Sequence, residues 1–291
     1  MEIPLDVLNL VASYLVKHKM KLLDWIPIEE LKWPELSINP NAISLLEQNK
    51  NKIDWEELSK NPNAISLLEQ NLGRFDIWKY LSQNPNAIHL LEKNKNEINW
   101  FYLSKNPGAI HLLEKHFNKI IWACLSYNPN AIHLLEANKN KINWVGLSSN
   151  PEAIHLLEEN PDKIFRMELS RNTKAIHLLE SNQYKIYWFY LSGNPNAIHL
   201  LEKNMNKIDW DQLSRNPNAI HLLEQNIDKI DWNHLSINPK AIHLLEKNID
   251  KIDWHWFSVN PSIFEIDIKQ IKTEITKKAV LLDKLTYKYN G

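Results

Sequence analysis

Within Asn39–Asn49, NPNAISLLEQN, apolar side chains fall at Ala42, Ile43, Leu45 and Leu46. Those are the i,i+3 and i,i+4 neighbours of one helical face, and the alternation of a strand is absent. Asn39 is a good cap, Pro40 suits the first helical position, and Asn49 suits a left-handed helix ending. The stretch that follows, IDWEELSKN, predicts a second short helix. There Asp54 precedes Glu57 by the spacing of a capping pair, and Trp55 and Leu58 share a face.

This pattern recurs. Copies start at Leu36, Leu58, Leu81, Leu103, Leu125, Leu147, Leu169, Leu191, Leu213 and Leu235, with a partial copy at Phe257. The period is 22 residues, with one step of 23 around Leu72–Phe75. A fixed period of this length defines a solenoid, whose units bury their apolar faces only against their neighbours. The expected fold is all-α: an elongated α-solenoid of ten helix-pair repeats over residues 31–261. An N-terminal segment (1–30) and a C-terminal helix (262–291) are expected to cap it. The alternative is a leucine-rich-repeat-like solenoid, because LSKNPNAI echoes that repeat's Leu-x-x-Asn-x-Leu segment. Glu56, Lys79, Asp211, Asn233 and His255 stand where that repeat needs an apolar residue, and Pro after the Asn favours helix.

Composition narrows function more than fold. Lys and Arg number 34 against 35 Asp and Glu, a net charge of −1, so the chain has no global attraction for a polyanion, and nucleic acid is not the expected partner. A single cysteine, Cys124, excludes an internal disulfide and fits a reducing compartment. No apolar run reaches the roughly 20 residues that span a bilayer, so no membrane partner is expected. With five glycines and no nucleophile elbow, zinc-protease helix or phosphate loop, neither an enzyme nor a cofactor is expected.

Recurring residues point to structure. Asn before the Pro slot, Ser after each starting Leu, Glu closing each LLE and Trp in the second helix return in nearly every copy. A joint repeated between all units needs them, whereas chemistry done once does not. Asn and Ser are read as caps and ladders, and Trp as core. His89, His111, His133, His155, His177, His199, His221 and His243 fill one slot, which Ser44 and Ser66 hold in the first copies. Neighbouring helices lie about 8–10 Å apart, and a metal holds His at about 2 Å, so hydrogen bonding between repeats, not a metal site, is expected.

Specificity is expected where copies differ. Candidate partner-binding residues are Tyr80, Phe101, Tyr102, Tyr127, Phe189, Tyr190 and Trp256, of the types that anchor protein interfaces. One copy departs from the pattern with Phe165, Arg166 and Thr173, as a bend, a contact site or a decayed repeat would.

Residues 3–15, IPLDVLNLVASYL, resemble the first half of an F-box. Ile3, Pro4, Asp6, Val7, Leu8, Val11, Tyr14 and Leu15 carry the match. The resemblance implies docking to the Skp1 adaptor of a cullin ubiquitin ligase through Ile3, Pro4, Val7, Leu8, Val11 and Leu15, with a host protein as the recruited substrate. A plain capping helix is the alternative. The unit LSxNPNAIHLLExNxxKIxW and the exit NPSIFEID are similar to a family of repeat proteins abundant in giant, mimivirus-like DNA viruses of amoebae. That likeness implies a viral protein of the host cytoplasm. The alternative is a virion-associated scaffold that self-associates.

Overall fold

The structure, a computed structural model, describes residues 19–73, 77–181 and 186–277. Residues 1–18, the whole F-box-like segment, lie outside them, as do 74–76, 182–185 and 278–291. The described chain is an all-α solenoid of two-helix units. Each unit opens with a "Trp helix" and continues into a "Leu helix", such as Trp100–Lys105 and Ile110–Lys115 in unit 4. The only strands among the described residues are β1 (Met20–Leu22) and β2 (Phe264–Ile266), both outside the repeats, so a leucine-rich-repeat architecture is not formed.

Side-chain capping shapes both helices. Asp54, Asn99, Asn143, Asp209, Asp231 and Asp253 accept backbone N–H groups at the start of their Trp helices. The Asn of each Asn-Pro step accepts the N–H two residues on, from Asn41 to Asn39 through Ser262 to Asn260. It caps that turn, and the Leu helix begins only after the following Ala. Asn49 does not take the left-handed ending expected of it, since its φ is −130°. Its Nδ2 instead donates to the Leu45 carbonyl, satisfying a helix-end acceptor without a positive φ. The 23-residue step falls at Gly73, whose φ of 88° is open to glycine at little cost.

A buried ladder joins the units. The Nδ2 of each ladder Asn donates to two carbonyls of the preceding unit, those of its Ser and its Asn. Each ladder Ser Oγ donates to a carbonyl in its own helix, four residues back in nearly every unit, and Ser37 and Ser82 to Ser236 accept a backbone N–H from 17 residues ahead. Deep burial of these groups is tolerated because no buried side-chain N or O among the described residues lacks a partner. Between the ladders the starting Leu side chains are fully buried, from Leu36 to Leu235. The Trp rings are half-buried and packed on that core. A lysine 19 residues on roofs many of them, as Lys141 does Trp122 at 4.6 Å.

The ends of this solenoid meet. Asn39 of unit 1 donates to the Ser258 and Asn260 carbonyls of unit 11, at 3.0 and 2.9 Å. Lys32 N–H donates to Ser258 Oγ, and Asn41 Nδ2 to the Pro261 carbonyl. The Asn39 and Lys32 bonds are those of the internal joints, and the Asn41 bond recurs wherever its slot holds Asn, so eleven units close into a ring. The partial last copy is a working unit: Phe257 takes the buried Leu position, and β2 stands where its Leu helix would be. β1 pairs antiparallel with β2, Met20 opposite Ile266 and Leu22 opposite Phe264. Residues 19–30 are therefore a strand and turns that close a ring, where a helical cap for a free end was expected. At the other end, residues 268–277 are helical.

At most joints neighbouring Trp helices pack on each other more closely than neighbouring Leu helices do, and at the seam the Trp helices of units 1 and 11 pack in the same way. A closed ring has its shorter spacing inside, so the Trp helices form the inner layer and the Leu helices the outer one.

Candidate interaction surface on the Trp helices

The inner layer carries the slots in which units differ. Two of them interlock between neighbours: the residue before the ladder Asn in one unit lies over the second residue after the Trp in the next. Lys60 sits 4.2 Å over the Tyr80 ring and Arg171 4.0 Å over Tyr190. Tyr127 occupies the space over Gly146, where an added Cβ would stand 2.7 Å from the ring. Much of the variability is thus pairwise, large on small or cation on ring. Reading each slot along the diagonal between copies, not copy by copy, is the sequence signal that shows it.

Four of the seven aromatic candidates are brought together. Tyr80 and Tyr102 rings lie 5.6 Å apart, Phe101 meets Tyr102 edge-on at 5.3 Å, and Lys105 spans Phe101 and Tyr127. Lys79 reaches over Tyr80 and donates to its hydroxyl, which with the nearby Tyr102 holds the lysine pKa above its ordinary value. The result is a strip of alternating rings and cations across units 2 to 5. Phe101 is 48% exposed at its middle. Burial, with the Glu168 carboxylate nearby, raises the Tyr127 pKa, and burial raises that of the Cys124 thiol, so both groups stay neutral. Phe189 and Tyr190 form a second pair, and Trp256 stands apart against His255.

The departing copy, unit 7, is neither a bend nor decayed in its joints. Ser170 donates to the Arg166 carbonyl, Asn172 reaches Ser148 and Asn150, and Asn196 donates to Thr173 as its counterparts do to Pro.

On the outer layer each repeated His hands its Nε2 to the LLE glutamate of the preceding unit, from His89–Glu69 at 2.8 Å to His243–Glu224 at 2.9 Å. Each imidazole meets one carboxylate, and among the described residues no group of three or more His, Cys, Asp or Glu could hold a metal ion. The glutamates were visible in the sequence as repeated residues. Their pairing was not, because it crosses between units. No described helix is long and apolar enough to cross a membrane.

Fold and surface together define a closed-ring α-repeat protein whose varied side chains lie on its inner helices. A family model described as periplasmic copper-binding protein (NosD) matches residues 29–200 and again 79–261, each more than half of the chain, and the chain belongs to that family. The overlap of the two matches is what a repeated unit produces, since one model can be laid along it in more than one register. No curated protein and no solved structure matches the chain.

Proposed function

We propose that this ring is a non-enzymatic protein-binding module whose contact surface is the strip from Lys60 to Tyr127. The observation that carries the reading is the exposure of interlocked aromatic rings and cations over successive units. Rigid aromatic anchors lose little side-chain entropy on binding, and they are the residues that dominate protein interfaces. The copper in the family's name has no counterpart in the donor set: the repeated imidazoles are held one to a carboxylate, and the lone thiol is buried and neutral. No role is drawn from it.

Recruitment of Skp1 rests on the likeness of residues 3–15 to an F-box. The commitment of residues 19–32 to the seam favours a second reading, a scaffold without ligase docking, because it leaves only residues 1–18 for the adaptor. Two full-length variants separate these readings. Purified Skp1 binding to the wild type and lost on Leu8→Asp would establish the receptor. Equal failure of both to bind would leave the scaffold. Host proteins retained by the wild type and released by Phe101→Asp identify the strip as the contact. Identical captures by the two proteins overturn that assignment. A receptor would act in the host cytoplasm.

A further inference from the structure

One cavity on the inner layer has a chemistry of its own. It measures about 350 Å³ and is lined by Arg171, Tyr190, Gly193, Asn194, Pro195 and Arg215. Arg171, Gly193 and Arg215 occupy the same slot in units 7, 8 and 9, whose Trp helices begin at Arg166, Trp188 and Trp210. Where other units place a Lys, Gln, Tyr or Ser, Gly193 places nothing, and a gap opens between two guanidinium groups. A Cβ added there would lie 3.6 Å from Arg215 Nε, in ordinary contact, so glycine is kept by neither strain nor a clash.

The walls are prepared for an anion. The Arg171 guanidinium carbon lies 4.0 Å over the Tyr190 ring. Its one acidic neighbour is Glu168, whose carboxylate stands 3.7 Å from Nη1, long for a charge-assisted hydrogen bond. Arg215 forms no ion pair among the described residues. Asn194 Nδ2 is already spent on the ladder carbonyls of Ser170 and Asn172. The groups left to a ligand are two guanidinium forks, the Tyr190 hydroxyl and the Gln212 amide, whose Oε1 would lie 3.7 Å from a Cβ at Gly193. Two guanidinium groups lining one cavity suit a tetrahedral dianion with several terminal oxygens better than the single planar edge of a carboxylate.

We infer that the Arg171–Gly193–Arg215 cavity binds a phosphate monoester, with the Tyr190 ring holding Arg171 in place. This site is independent of the strip in units 2 to 5. A phosphorylated side chain of a protein partner and a small phosphorylated metabolite share this chemistry.

The test is titration of the full-length protein with phenyl phosphate, a phosphotyrosine peptide and benzoate at fixed ionic strength. Wild type is expected to bind both phosphates, and benzoate about tenfold or more weakly, the difference that one charged hydrogen bond makes. Arg215→Gln and Gly193→Val each lower phosphate affinity by about tenfold or more, the first by removing a fork and the second by filling the gap. Glu168→Gln frees Arg171 and tightens binding. Circular dichroism of each variant should match wild type, since both substituted slots lie outside the buried ladder. Tighter peptide than phenyl phosphate binding identifies a protein source, and the reverse a metabolite. Benzoate bound as tightly as phenyl phosphate, equal affinity in Gly193→Val, or no phosphate binding at all overturns the assignment.

Discussion

At the joint between units 5 and 6, Asn150 donates to the carbonyls of Ser126 and Asn128, both at 3.1 Å. At the seam between units 11 and 1, Asn39 makes the same two bonds to Ser258 and Asn260. The first joint is also crossed by the chain, and the second is not. In place of covalent continuity the seam has the β1–β2 ribbon, a bond from Leu23 N–H to the Ile263 carbonyl at 3.0 Å, and Trp25 packed 5.8 Å from Phe257. Closure uses the repeat's own interface, with a local clasp added where the run of repeats begins and ends. In an open array the terminal units have one neighbour each. In this ring every unit has two, so no apolar end needs a cap.

The largest effects should come from cutting each joint's core. Leu147→Ala at the internal joint is expected to cost about 2–5 kcal/mol, and Phe257→Ala at the seam about 3–5 kcal/mol. The distinguishing readout is shape. Small-angle scattering of Phe257→Ala in mild denaturant should show an expanded, still helical particle, because an opened seam leaves ten joints in place. Leu147→Ala should stay ring-sized until it unfolds. Identical scattering curves for the two would mean that the seam is no weaker than any other joint.

Next come the ladder bonds. Asn150→Ala and Asn39→Ala each take the ladder donor from a buried Ser carbonyl, that of Ser126 or Ser258, at about 1–3 kcal/mol, while the Asn128 and Asn260 carbonyls keep the N–H of Ala131 and Ile263. Similar losses are expected in denaturant titrations, with different local consequences. Hydrogen exchange should accelerate first at residues 20–22 and 264–266 in Asn39→Ala, and remain protected there in Asn150→Ala.

The period and the helix pair could be read directly from the sequence, because Ala42, Ile43 and Leu46 carry helical spacing within one unit. The cap at Asp54 and the structural role of the ladder Asn were also legible, each resting on contacts local in sequence or repeated at every step. Closure was not. It depends on the rotation between units, which no single unit encodes, and on pairing of MKL with FEI from opposite ends of the chain. The aromatic strip was legible as residue types, while the cavity was hidden because Gly193 reads as one more variable residue until its neighbours are seen to be arginines.

The diagonal pairing offers a smaller and sharper break of an internal joint. Alanine in place of a glycine inside a helix gains about 1 kcal/mol of propensity, whereas overpacking costs about 1–3 kcal/mol. At Gly146 the new methyl meets the Tyr127 ring, so Gly146→Ala should be neutral or destabilising in wild type. In a Tyr127→Ala background the same change should cost less, with only the Ser126 Cβ at 3.2 Å still to give way. A double-mutant cycle measures the difference, and additive effects would dissolve the pairing. The seam provides the control, because Val259 and Glu35 there form no such large-on-small pair.

The smallest effect belongs to the outer layer, where the joints are decorated and not built. Glu92 accepts a hydrogen bond from His111, and that bond, then the charges of His111, Lys115 and Lys95, holds its carboxyl below the ordinary glutamate range. A depressed carboxyl pKa stabilises the fold above the unfolded value, about 4.3, and the contribution is lost as pH falls through the folded value. Melting temperatures of wild type and Glu92→Gln should therefore differ slightly and constantly from pH 7 to pH 5, then converge below pH 4. Both side chains are well exposed, so the difference should also shrink with salt. Superimposable melting curves for the two proteins at every pH would show that this bond contributes nothing to the fold.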